Sequence, residues 1–275
     1  MRTTWINAWI LGLFIAGTLF VGCGGESEPD TNPPQMPSAP EQGPEARKSE
    51  RGTEKETAAG KQEEQTKDTQ KKTEEEEEEQ VELDVDLPQP TFAGTPSDLQ
   101  SRRLEPDGGP RGNVMVPQGT QLLSEDKPVS ASSDTVMGSL DQVTDGVKEA
   151  GEGNYVTLPP GSQWVQIDLE KNYHLDAVLI WHYHASARVY HDVVVQVSTD
   201  PGFEENVTTL FNNDYDNSLG FGQGKDYEYV DDFEGKLVKA AGSKARYVRV
   251  YGNGNTANEL NHFTEVSVYG RPVEQ

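Results

Sequence analysis

Between residues 164 and 184 the chain reads WVQIDLEKNYHLDAVLIWHYH, and two patterns of apolar positions meet in it. In the first, Val165, Ile167 and Leu169 alternate with Trp164, Gln166 and Asp168, the period of two of a half-buried strand. In the second, residues 175–183 are apolar on both faces apart from Asp176 and His182, as in a strand covered on both sides. The polar break Glu170-Lys171-Asn172 predicts a turn between them, so the stretch as a whole predicts a hairpin. Its far end runs into a tip of His, Arg and aromatic residues, HYHASARVYHD, which a rigid scaffold would present as one loop cluster.

The same alternation recurs downstream. Strands are predicted at residues 127–131, 193–198 and 208–211, and again in the runs Arg246 to Tyr251 and Thr264 to Tyr269. Turns are expected at Val143-Thr144-Asp145-Gly146 and Asp200-Pro201-Gly202, and a long polar loop at 212–226. With no convincing amphipathic helix among them, the pattern predicts an all-β sandwich or barrel over residues 112–275.

The N-terminal part reads differently. Arg2, an apolar run over residues 5–21 and small residues around Cys23 have the layout of a secretory signal over residues 1–22. Phe20-Val21-Gly22-Cys23 resembles the lipobox of bacterial lipoproteins, with Phe20 in place of the usual Leu, and Cys23 is the only cysteine of the chain. That resemblance implies cleavage before Cys23, acylation of Cys23 and anchoring in a bacterial cell envelope. In a host with two membranes, Gly24 after the cysteine implies the outer one. The alternative is an uncleaved membrane helix, for which the run is at the lower length limit. Residues 23–111 are rich in Glu, Lys, Gln, Pro, Thr and Ser and include an unbroken Glu run at 74–79, so they predict a disordered acidic tether. Within it VELDVDL, residues 81–87, alternates like a strand, but Pro88 and Pro90 follow at once and it stays unassigned.

Composition narrows the partners. Only 33% of the 275 residues are hydrophobic, below the usual share, as expected if a large part is unfolded. The net charge of −24 is spread over both parts of the chain, which argues against nucleic acid and favours uncharged or cationic partners. One cysteine excludes an intrachain disulfide and a multi-cysteine zinc site.

The Asp145-Gly146 turn, the WVQIDL run, ARYVRVY at 245–251 and TEVSVYG at 264–270 together resemble the discoidin family. It is also called the coagulation factor 5/8 type C domain, and it includes the family 32 carbohydrate-binding modules. The resemblance covers residues 122–270 and implies an eight-stranded jelly-roll β-sandwich with a ligand site in the loops at one end. Bacterial members of the family bind galactose-type sugars and other glycans. It also implies a structural calcium ion held by an acidic residue of the early turn and a Glu of the last strand, here Asp145 and Glu265. The plain alternative is an Asx turn at Asp145 and a surface Glu265. No organic cofactor is implied.

Candidate ligand contacts follow from residue type. His182, His184, Arg188, Tyr190 and His191 lie in the predicted tip, with Asn258, Asn261, His262 and Phe263 as partners across the loop end. His and Arg hydrogen-bond sugar hydroxyls, and an aromatic ring lies against the C–H face of a sugar. The His182-x-His184 pair also allows a transition-metal site, and all of these residues are open to a structural role. Loop 214–218 invites an EF-hand reading that fails, because Leu219 stands where Gly is needed and Lys225 where Glu is needed. No catalytic motif for a metalloprotease, a P-loop enzyme or a serine hydrolase is present. The leading expectation is a non-enzymatic lipoprotein displaying a glycan-binding module. The alternatives are a protein-interaction or envelope-scaffold module without sugar affinity, and a metal-dependent hydrolase using the His cluster. An exposed aromatic beside Arg188 and His262 would favour sugar, and a broad flat apolar patch would favour protein.

Overall fold

The computed structural model describes residues 78–274, apart from 98, 100, 102, 107 and 108. The expected signal segment, Cys23 and the acidic tether up to residue 77 lie outside the described residues. Eleven strands follow one another: β1 (Gln80–Glu82), β2 (Met115–Pro117), β3 (Gln121–Leu122), β4 (Val129–Ala131), β5 (Val156–Leu158), β6 (Gln163–Trp181), β7 (Val194–Ser198), β8 (Thr208–Asn212), β9 (Lys236–Gly252), β10 (Asn261–Phe263) and β11 (Glu265–Pro272). The only helical piece among the described residues is a 3-10 turn at Leu140–Val143. The expectation of an all-β fold holds.

The predicted hairpin does not form. Residues 163–181 are one strand, β6, antiparallel to β9 along its whole length. Asp168 faces Tyr247 and Tyr173 faces Ala245, so the polar triplet is a bulge in a continuing strand. Glu170 takes a left-handed backbone at φ 68°, and Ala241 and Gly242 of β9 do the same nearby at 49° and 74°. Both strands therefore bend where they pass from one layer into the other. A turn and a bulge need the same polar, conformationally permissive residues, and local sequence does not separate them.

One layer consists of β4, the first half of β6, the second half of β9, β7 and β8. The other consists of β3, β11, the second half of β6 and the first half of β9. Val165, Ile167 and Leu169 of the first half of β6 enter the same core as Val178 and Ile180 of the second. Val248 and Val250 of β9 enter it with Val238 and Ala240. Alternate residues of both halves meet in one core only if the sheet folds over on itself, which makes a β-sandwich.

A second apolar cluster explains why the second half of β6 is apolar on both faces. Ala177, Leu179 and Trp181 point away from the main core and are buried with Tyr269, Val114 and Val116. Val81, Leu83, Val85 and Leu87 pack over them. The segment expected to belong to the tether thus contributes β1, paired with β2, and an extended strap fixed by Leu83 N–H donating to Val114 O at 2.7 Å. Pro88 does not prevent this, because ladder pairing has already ended at Glu82 and the strap is held by side-chain packing. Described strand structure therefore already stands well before residue 112.

Candidate functional site

The strand ends at Trp181, Gly252, Asn212 and Gln163 lead into loops, and the sequence-predicted ligand residues lie on the loops after Trp181 and Gly252 and on β10. Two kinds of position emerge. His182 is buried: its Nδ1 lies 2.7 Å from Asp231 Oδ2, its backbone N–H donates to Asp231 Oδ1 at 3.2 Å, and its ring stacks on Tyr190 at 4.2 Å. His184 is equally buried, with Nδ1 2.9 Å from the carbonyl oxygen of His182. Phe263 sits in the core. Asn261 accepts the Gly254 N–H at 2.9 Å and donates to the carbonyls of Pro159 and Gly161, tying two loops together. These four expected ligand contacts are internal supports of the loop end. Asn258 is exposed, but its Oδ1 is taken by the Leu260 N–H and the Asn255 amide within its own turn.

The His-x-His metal reading is not supported by the arrangement. Among the described residues, the one group of three or more His, Cys, Asp or Glu ligand atoms within 4.8 Å of one another is Asp192, Asp214 and Asp216, which contains no histidine. The hydrolase reading loses its metal centre with it.

Arg188 and His262 are brought together, and two tyrosines that the sequence reading did not single out join them. The Arg188 guanidinium carbon lies 4.5 Å from the centre of the Tyr183 ring. Tyr183 and Tyr155 make an edge contact at 4.9 Å, and Tyr155 lies 5.6 Å from His262. Tyr155, Tyr183 and Arg188 are each partly exposed. Beneath them Tyr190 is buried with its hydroxyl 3.1 Å from His262 Nδ1. Burial, with Arg188 and His182 nearby, pushes the His262 imidazole down to about 4, so it is neutral at neutral pH. Burial also pushes the Tyr190 hydroxyl well up, so it stays protonated. The Tyr190 hydroxyl also reaches the Tyr183 carbonyl at 3.5 Å, and His262 Nε2 makes no hydrogen bond among the described residues. The result is a rim of two tyrosines, a guanidinium and a neutral imidazole. Tyr183 had a signal in its place between His182 and His184. Tyr155 had none, because it comes to His262 only through the pairing of β5 with β10.

His191 lies apart from this rim, with Nδ1 3.1 Å from Glu228 Oε1.

Asp145 and Glu265 meet at Gly146. Glu265 is buried and accepts the Gly146 N–H at 3.1 Å and the Ser267 hydroxyl at 3.0 Å. Asp145 accepts the Val147 N–H at 2.9 Å, which is an Asx turn. Burial above all, with Asp145 adding to it, pushes the Glu265 carboxyl up to about 7, against the Ser267 and Gly146 bonds and Lys148. A buried carboxylate, a second carboxylate and the Gly146 carbonyl are donors that suit a hard cation such as calcium, although Lys148 Nζ already reaches that carbonyl at 3.3 Å.

No protein-family model and no curated protein matches the chain. Among solved structures, the chain is similar to a family 89 glycoside hydrolase from Clostridium perfringens in complex with 2-acetamido-1,2-dideoxynojirmycin. The identity is 19% and the TM-score 0.43, with 55% of this chain and 15% of that one covered. It is similar to the CBM32 of AlyQ in complex with 4,5-unsaturated mannuronic acid at 19% identity, with 52% and 95% covered and a TM-score of 0.36. It is also similar to chitosan-binding module 1 of a chitosanase/glucanase from Paenibacillus sp. IK-5, at 23% identity, 55% and 99% covered and a TM-score of 0.38.

Proposed function

We propose that this protein recognises glycans through the rim formed by Tyr155, Tyr183, Arg188 and His262. The observation that carries the reading is the partly exposed tyrosine pair beside Arg188 and His262. Tyrosine faces supply apolar contact for sugar C–H groups, while the guanidinium donates to hydroxyl oxygens and the neutral imidazole exchanges a hydrogen bond with a hydroxyl through Nε2. None of the four side chains is hydrogen-bonded to a carboxylate, so the rim offers no acid–base pair, and the reading is binding rather than catalysis.

In this reading the chain is a lipoprotein of the bacterial cell envelope, acylated at Cys23, with the acidic segment before Gln80 as a spacer. Each buried methylene of an acyl chain adds about 0.8 kcal/mol of membrane affinity. Many weakly binding copies on one surface gain avidity without new contacts. A calcium ion at Asp145 and Glu265 would act as counter-charge to the buried carboxylate and stiffen the turn. Added calcium should then raise the melting temperature of the wild type and leave Glu265→Gln unmoved.

A glycan array probed with the full chain tests the main reading. Saturable binding to at least one glycan class, lost in both Tyr183→Ala and Arg188→Ala with melting unchanged, supports it. Absence of binding to every glycan by a folded protein overturns it and returns the module to protein partners.

A further inference from the structure

Beside His191 and Asp192 lies a cavity of about 710 Å³, partly walled by residues of the 99–103 segment. Leu99, Ser101 and Arg103 form that wall, and Ser101 and Arg103 are fixed to it: the Ser101 hydroxyl donates to Glu228, and Arg103 donates to the Lys225 carbonyl at 2.8 Å.

The opposite wall is acidic. Asp192 and Asp216 line the cavity, and with Asp214 behind them their carboxylate oxygens lie within 4.8 Å of one another. Glu228, hydrogen-bonded to Ser101 and His191, also lines it, as does Arg103. Asp192 also holds a left-handed backbone at φ 54°, a conformation uncommon outside glycine, and its Oδ2 accepts the Asn253 amide and the Ser218 hydroxyl.

An independent feature of the same wall calls for a ligand. Asn213 is only 3% exposed and lines the cavity. Its Oδ1 accepts the Val193 N–H at 2.6 Å, which leaves Nδ2 as the outstanding donor, and Nδ2 is buried without a partner among the described residues. A buried amide donor without an acceptor is costly, and a bare cation cannot satisfy it. The occupant therefore needs a positive group for the carboxylates and an oxygen acceptor for Asn213. Tyr215, half exposed on the rim, adds a ring face.

We infer that this cavity is a second sugar subsite, selective for an amino sugar whose ammonium faces Asp192 and Asp216 and whose hydroxyl accepts from Asn213. The inference rests on the glycan-recognition reading above and extends it to a substrate class. The size suits it, since small-molecule sites run from about 300 to 1,000 Å³ and a metal ion needs far less. The acidity of the chain agrees with a cationic ligand.

Calorimetric titration of the full chain tests it, with glucosamine as the probe, N-acetylglucosamine as the uncharged control and calcium chloride as a third titrant. Expected is saturable glucosamine binding, at least tenfold weaker for N-acetylglucosamine, and at least tenfold weaker in Asp216→Asn and in Asn213→Ala. Asp216 is exposed, so its variant reads binding even where Asn213→Ala fails to fold. No glucosamine binding, binding indifferent to both variants, or heat from calcium alone would each overturn the inference. Array binding that depends on Tyr183 would survive any of these results, so failure of the second subsite is distinguishable from failure of the glycan reading.

Discussion

The Tyr190 hydroxyl stands 3.1 Å from His262 Nδ1, and through that contact a buried phenol anchors one nitrogen of the rim imidazole. The same burial holds His262 at about 4, below its ordinary value near 6.5. Between those values the unfolded chain takes up a proton that the folded chain refuses, so stability rises with pH across the window. It is complete above about pH 6.5 and is lost as pH falls towards 4, by at most about 3 kcal/mol. Denaturant unfolding at a series of pH values should show this slope in the wild type. His262→Gln, which cannot titrate, should lose it, and the difference between the two isolates this group from the other carboxylates. Glycan binding should stay flat from pH 8 down to about 5, because the imidazole does not change charge there.

In the proposed reading Tyr155 and Tyr183, both partly exposed, touch the glycan. Truncating either removes ring area from the rim while Tyr190, His182 and Phe263 keep the support beneath it. Tyr155→Ala is expected to weaken glycan affinity by roughly tenfold, about 1.4 kcal/mol, with little change in melting temperature. Affinity measured by titration against an array-positive glycan, alongside thermal melting, checks both halves. A large fall in melting with intact affinity would assign Tyr155 to structure.

Much of the scaffold was legible because burial writes itself as alternation. Val165, Ile167 and Leu169 face the core, while Trp164 and Asp168 face outward under Arg249 and Arg246. The second half of β6 was legible as doubly buried, but what covers its outer face lay about 90 residues earlier, in a segment whose alternating Val and Leu stayed unassigned because Pro88 and Pro90 follow it. The bulge at Glu170 read as a turn because both draw on the same residues, and only long-range pairing with β9 decides between them. At the site, residue type alone brought out nine candidates. It could not separate the buried His182, with Nδ1 turned to Asp231, from the partly exposed Tyr183 beside it. Which ring faces solvent is a property of the packed loops, and Tyr155 shows how completely pairing of distant strands controls it.

The strap over Trp181 makes a stability prediction outside the family-like region. Leu83 and Val85 are partly buried against Ala177, Leu179 and Trp181. Full burial of such side chains is worth about 1.5–3 kcal/mol, so half of that, on the order of 1 kcal/mol each, is expected to be lost on replacement by a charge. The Leu83→Asp, Val85→Asp double variant should lower the urea midpoint and expose the Trp181 indole, read as a red shift in fluorescence. Its Nε1–H, which donates to the Phe233 carbonyl at 2.9 Å, keeps the ring in place while its outer face is uncovered. Glycan binding at the rim should persist. If neither midpoint nor emission moves, the strap contributes nothing to the fold.

The bend in β9 offers the opposite sign. Ala241 is exposed and held at φ 49°, next to Gly242 at 74°. A left-handed backbone costs a residue with a Cβ about 1–2 kcal/mol. Replacing it with glycine removes that strain but frees the unfolded chain by roughly 0.5–1 kcal/mol. The strain is the larger of the two, so Ala241→Gly should stabilise the protein by up to about 1 kcal/mol. Ala241→Val, whose branched side chain tolerates this conformation worst, should destabilise it. Both are read as shifts in the urea midpoint at constant slope. The pair discriminates, because a site without strain would lose stability with glycine and gain or hold it with valine, the better strand former.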